Sequence, residues 1–155
     1  MVTSATMPQS APVAVIDALN GLLEAELNSV FRFMDEGSPY LSRATVEVKR
    51  PLEAMVQTNH HHAAELADLI ESLGGYPVPR SIRPEEQYLA FLSLKFLLPK
   101  LANEKQFTIE RYENALRAIG NGRAEVDAVL QNHIATHRRD LETLNKAAVE
   151  AARVK

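Results

Sequence analysis

One periodic stretch decides what this chain can be. Between residues 52 and 73 the positions Leu52, Met55, Asn59, His62, Leu66, Leu69 and Leu73 follow one another at steps of three and four. That spacing draws a single stripe along a helix, and such a stripe faces the interior of a bundle. Two of its positions, Asn59 and His62, are polar, and they are neighbours near its middle. A bundle interior accepts polar groups at mid-height only if they find partners or hold something. The rest of the chain has to supply those partners.

Three further stretches carry the helical period. The first spans 13–34, with Pro12 suited to its first turn and the stripe Ile16, Leu19, Leu23, Glu26, Val30, Phe33. Glu26 stands on this stripe, whereas Glu24 lies off it and reads as solvent-facing. A Gly37-Ser38-Pro39 turn then reverses the chain. The helix carrying His62 begins near Ser42, reads as one helix kinked at Pro51, and stops before Gly74-Gly75, a pair suited to a C-cap. Residues 74–84 hold three prolines and form the one long irregular connection.

Residues 85–98 are apolar and read as helical. Pro99 either kinks that helix or opens the third helix proper, which continues to Ile119. This helix offers two stripes, Leu97, Leu101, Glu104, Thr108 and Ile109, Tyr112, Leu116, Ile119, so its inward carboxylate is Glu104 with Glu110 and Glu113 as alternatives. After the Gly120-Asn121-Gly122 turn, a fourth helix from about 123 carries Val126, Leu130, His133, His137, Leu141, Leu144, Ala148 and Ala151 on one face. No stretch has the strand period. Short, long and short connections make two antiparallel helical hairpins joined by a long crossover. The fold class is therefore all-α, a ferritin-like four-helix bundle in preference to a simple up-down one. Residues 1–11 read as a disordered tail, leaving 12–155 as a single domain.

Composition removes several classes of function. The chain has no Cys, which excludes thiol catalysis, iron–sulfur clusters and thiolate zinc sites. Its 17 basic and 20 acidic residues are intermixed, with no basic stripe for nucleic acid. No apolar run approaches the ~20 residues that cross a bilayer. A cytoplasmic protein without an organic cofactor is the expectation.

The inward polar groups therefore gather from all four helices: Glu26, Asn59 and His62, Glu104, and His133 with His137 one turn apart. Imidazole and carboxylate together suit iron, zinc or manganese. These segments resemble the carboxylate ferritin-like proteins, bacterioferritins and rubrerythrins, which place a Glu on the first and third helices and Glu-x-x-His on the second and fourth. AELNSVFRF, with Glu26, resembles their first ligand helix. NHHHAAELADLIESLGGYP resembles the segment with the first Glu-x-x-His, and His62 matches its His. HIATHRRDLETL places His137 at the second His.

The resemblance covers roughly residues 15–150 and implies the fold and a metal site. The departures are Asn59 and Ile134, which stand where that family has the two metal-bridging Glu residues. Their loss implies one ion in place of two, held by Glu26, His62, His133 and His137, with Glu104 and Asn59 as further members. His133 is expected to substitute for the missing fourth-helix ligand.

Other residues have plainer readings. Successive helical residues point ~100° apart, so His60 and His61 face away from His62. Glu65 reads as a solvated residue, Tyr112 as core packing, and the apolar patch at 89–98 as an interface in a homodimer or larger homo-oligomer. Two functions remain: a ferritin-like metal-binding protein with an iron or redox role, or a non-enzymatic structural or interaction bundle whose Glu/His cluster is a buried hydrogen-bond network.

Overall fold

A computed structural model describes residues 12–29, 31, 46–79, 94–120 and 122–153. The expected tail 1–11, the turn at 37–39 and the segment 80–93 lie outside them. Every element among the described residues is helical: α1 (Val13–Leu27), α2 (Val46–Ser72), α3 (Leu94–Ile119) and α4 (Ala124–Arg153). No described helix is long and apolar enough to cross a membrane.

The helices form a closed ring in which each packs against two others, α1 on α2 and α3, and α4 on α3 and α2. Residue pairing shows that all neighbours are antiparallel. Asn20 on α1 bonds Tyr76 and Val78 just past α2, whereas Glu26 meets Asn59. Arg111 on α3 reaches Gly21, whereas Lys105 lies over Phe31. On α4, His133 faces Glu65 and Tyr112, and His137 faces His62 and Lys105. Consequently α2 and α3 run in the same direction, the relation that two antiparallel hairpins joined by a crossover require.

Helix ends follow local chemistry. α2 closes in a Schellman arrangement: Gly75 N–H bonds Ile70 O at 3.0 Å and Gly74 N–H bonds Glu71 O at 3.0 Å. Gly74 adopts φ 84°, where a glycine avoids the Cβ penalty. Gly75 is needed for another reason. A Cβ there would fall 2.7 Å from Ile16 Cδ1 and 2.8 Å from Ile16 Cγ2. Gly75→Ala is therefore expected to cost about 1–3 kcal/mol in urea denaturation, the usual range for overpacking. A midpoint equal to that of the wild type would show that Ile16 yields freely.

One expectation needs correction. The first helix was expected to reach Met34 but ends at Leu27. Asn28 leaves helical geometry at φ −96°, ψ 9°, and its side-chain Nδ2 and backbone N–H both bond Glu24 O, at 3.0 and 2.9 Å. An Asn side chain competes in this way with the helical ladder. The prolines settle what the sequence leaves open at Pro99 and agree with the single helix read through Pro51. Pro51 and Pro99 each lie at the sixth residue of a helix that continues past them. Pro99 thus does not open the third helix.

The interior is apolar at both ends and polar between. One cluster gathers Phe31, Leu52, Met55, Val56, Leu97, Leu98, Leu101 and Leu144. The other gathers Val15, Leu19, Leu22, Leu23, Leu66, Leu69, Ile70, Val126, Leu130 and Ile134. Each fully buried Leu or Ile contributes roughly 1.5–3 kcal/mol of transfer free energy. Between the clusters lie Glu26, Asn59, His62, Lys105, His133 and His137, all buried.

Candidate metal centre

The polar layer is built by one or two residues from each helix. Glu26 sits in the last turn of α1, Asn59 and His62 near the middle of α2, Lys105 and Tyr112 on α3, and His133 and His137 on α4. Three of them converge on a point. His137 Nε2 lies 2.7 Å from Glu26 Oε1, His62 Nδ1 lies 3.3 Å from the same oxygen, and the two ring nitrogens are 3.2 Å apart. Donors bound to one ion at 2.0–2.2 Å stand roughly 2.8–3.6 Å from one another. The triangle therefore fits a single ion, with only its shortest edge having to open slightly. Among the described residues, Glu26, His62 and His137 are the three whose ligand atoms all gather within 4.8 Å, and all three are buried.

Asn59 holds the carboxylate in place. Its Nδ2 donates to Glu26 Oε2 at 2.8 Å and to Glu26 O at 2.7 Å, so the amide nitrogen faces the site. Tyr112 Oη donates to Glu26 Oε1 at 2.8 Å and meets His133 Nδ1 at 3.0 Å. His133 stacks on His62 with ring centroids 3.7 Å apart, and its Nε2 is 3.3 Å from Glu65 Oε1. The outer end of this line is the exposed His61, whose Nε2 lies 2.9 Å from Glu65 Oε1. On the opposite side Lys105 Nζ reaches His137 Nδ1 at 3.0 Å and lies 3.6 Å from Asp140 Oδ2.

Electrostatics follow from this geometry. Burial by itself would raise the pKa of Glu26. Hydrogen bonds and charge from His137 and His62 outweigh it and hold the carboxyl well below the usual range. Burial, then the neighbouring His62, pushes His133 down to about 4. Burial also lowers His137, against the opposing pull of Glu26. Tyr112 is raised well above 10 by burial and by the Glu26 charge. The layer thus contains an anionic Glu26 ringed by N–H and O–H donors, with neutral His133 and His137 at pH 7.

The structure brings together Glu26, His62 and His137 from the residues expected in the site, with Asn59 as a clamp. It does not bring in Glu104, which is half-exposed and lines a surface cleft between α1 and α3 with Glu24, Asn28 and Arg111. The alternatives are also turned outward: Glu110 is exposed, and Glu113 pairs with Arg138 at 3.1 Å. The true inward stripe of α3 is Leu98, Leu101, Lys105, Ile109, Tyr112.

His133, expected to stand in for the missing ligand, turns its two nitrogens to Tyr112 and Glu65. Two residues read as plain turn out to belong to the layer, Glu65 as a partner of His133 and Tyr112 as a donor to Glu26. Lys105 also belongs to the layer, and its helical spacing from Leu101 and Tyr112 is the signal the sequence carries for it. A lone Lys ordinarily reads as solvent-facing.

No protein-family model matches the chain, and no curated protein sequence matches it. Among solved structures it is similar to a dodecameric thioferritin, the bacterioferritin-related protein from Bacteroides fragilis. That similarity has a TM-score of 0.66 and 22% sequence identity, and covers 92% of each chain. The likeness shows the fold, an all-α ferritin-like four-helix bundle.

Proposed function

We propose that this chain is a ferritin-like metal-binding protein that holds one transition-metal ion on Glu26, His62 and His137. The observation that carries the reading is the triangle of donor atoms with edges of 2.7, 3.2 and 3.3 Å, buried between two apolar layers. Two imidazoles and one carboxylate are a set used by iron and by zinc, with manganese a third candidate. A bound iron would supply redox chemistry and a bound zinc Lewis acidity.

The chain's own residues do the rest. Asn59 fixes the carboxylate, Tyr112 gives Glu26 a hydrogen bond, and the Leu and Ile layers restrict water. Two ions do not fit this donor set. Asn59 and the buried Ile134 offer no anionic ligand, and Lys105 brings a cation to the layer. By analogy with the dodecameric Bacteroides protein, the same proposal includes a homo-oligomer, and exposed Phe96 and Phe107 on α3 suit such an interface. It also places the protein in the cytoplasm.

Elemental analysis of protein purified without a histidine tag tests the reading. The expected result is about one ion per chain, with affinity lowered more than about 100-fold in His137→Ala, since even outer partners of a ligand are worth 10–100-fold. No bound metal after incubation with Fe(II), Zn(II) and Mn(II) would overturn it. That outcome would favour a second reading, a structural or interaction bundle with a metal-free polar layer. The observation in favour of the second reading is Lys105, which already places a cation beside His137.

A further inference from the structure

Lys105 is nearly sealed from solvent, at 3% exposure, and its Nζ sits 4.5 Å from the centroid of the Phe31 ring. Its contact with His137 has a definite polarity. An ammonium can donate hydrogen bonds and cannot accept them, and a carboxylate can accept and cannot donate. His137 Nδ1 faces the ammonium at 3.0 Å and His137 Nε2 faces the Glu26 carboxylate at 2.7 Å. Both neighbours therefore require the same tautomer, with the lone pair on Nδ1 and the proton on Nε2. Yet Nε2 is the nitrogen at the corner of the triangle, and a ligating imidazole must present its lone pair there. Ligand histidines ordinarily give their second nitrogen's N–H to an acceptor, whereas here the second nitrogen meets a donor.

A second feature shows where Lys105 can go. Asp140, one turn beyond His137 on α4, has Oδ2 buried and without a hydrogen-bond partner among the described residues. That oxygen lies 3.6 Å from Lys105 Nζ, just beyond bonding distance. The ammonium is thus poised between two seats, one occupied at His137 Nδ1 and one waiting at Asp140 Oδ2. We propose that Lys105 is a positioning residue that gates the centre: seated on His137 it keeps Nε2 protonated and unable to ligate, and seated on Asp140 it releases His137 to bind an ion. The ring keeps its single proton throughout, losing one at Nε2 and gaining one at Nδ1. The inference rests on the reading of Glu26, His62 and His137 as the metal site, and it makes that site harder to load than its triangle alone implies.

Imidazole ¹⁵N NMR on metal-free wild-type protein tests the first half without any substitution. His137 is expected to show a protonated Nε2 and an unprotonated Nδ1, and the reverse pattern overturns the proposal. Zinc titration tests the second half. Lys105→Met, of similar length and without a donor, should bind zinc about 10–100-fold more tightly than wild type, the equivalent of one charged hydrogen bond. Asp140→Asn, which weakens the second seat, should bind it more weakly. Equal zinc affinity in wild type and Lys105→Met overturns the gate. If neither protein binds zinc while wild-type His137 shows the expected tautomer, the metal reading fails and the lysine's hold on His137 stands.

Discussion

Glu26→Ala is expected to lower the stability of the metal-free protein by about 3–5 kcal/mol, the cost of leaving two or three buried donors without their acceptor. It is also expected to abolish metal binding. The size follows from how many groups depend on one carboxylate. Oε1 accepts from Tyr112 Oη at 2.8 Å and from His137 Nε2 at 2.7 Å, and His62 Nδ1 lies 3.3 Å from it. Oε2 takes Asn59 Nδ2 at 2.8 Å. Removing both oxygens strands several donors in a sealed layer, and each stranded group costs about 1–3 kcal/mol.

It also removes an anion from the layer that holds the Lys105 cation, whose ion-pair partner is Asp140 at 3.6 Å. Glu26→Gln keeps the volume and one acceptor oxygen, so its loss should be smaller, while the anionic ligand is gone in both variants. Urea denaturation with matched m-values measures the difference. A Glu26→Ala protein within about 1 kcal/mol of wild type would mean that water or a rearranged layer satisfies the donors. Combining Glu26→Leu with Lys105→Met should cost less than the sum of the single changes, because the double variant removes both charges.

The parts of this layer that the sequence discloses are those where one residue type breaks a regular pattern. Asn59 and His62 interrupt a leucine stripe, Glu26 interrupts another, and His137 a third, so each could be placed inward from spacing alone. The Gly74-Gly75 pair marks a helix end because only glycine enters the left-handed region without penalty. Lys105 escapes because the inward stripe, Leu98 to Tyr112, shares Leu101 with the first expected stripe and Ile109 and Tyr112 with the second, but passes one position beyond Glu104 between them. A one-residue error rotates a helix by about 100° and exchanges Glu104 for Lys105.

The role of Glu65 is illegible for a related reason. It depends on which way the His133 ring turns, and spacing fixes the position of a side chain on a helix but not its rotamer. Asn28 ends α1 through a side-chain bond to a carbonyl, which no hydrophobic pattern reports. The fold survives these errors because it rests on many buried apolar positions. The site does not, since one offset changes a carboxylate into an ammonium.

Acid should weaken the metal-free protein well above the range where carboxylates titrate. Unfolded His133 takes up a proton as the pH falls past about 6.5, whereas the folded residue resists until about 4. Between those values the unfolded chain binds more protons, so stability falls with falling pH. The difference corresponds to on the order of 3 kcal/mol, and His137, also lowered by burial, acts in the same direction.

Glu26 adds a later loss. Its folded pKa lies well below 4.5, so its contribution is complete above 4.5 and declines as the pH falls through the folded value. Unfolding free energies measured at steps from pH 7 to pH 4 should therefore decline from the start of the series, and His133→Leu should flatten the part above pH 5. A wild-type profile level between pH 7 and 5 would require a charged His133 in the folded state. As an imidazolium it would donate from Nδ1 to Tyr112 Oη and from Nε2 to Glu65 at once, satisfying both contacts that a neutral ring can only make in turn.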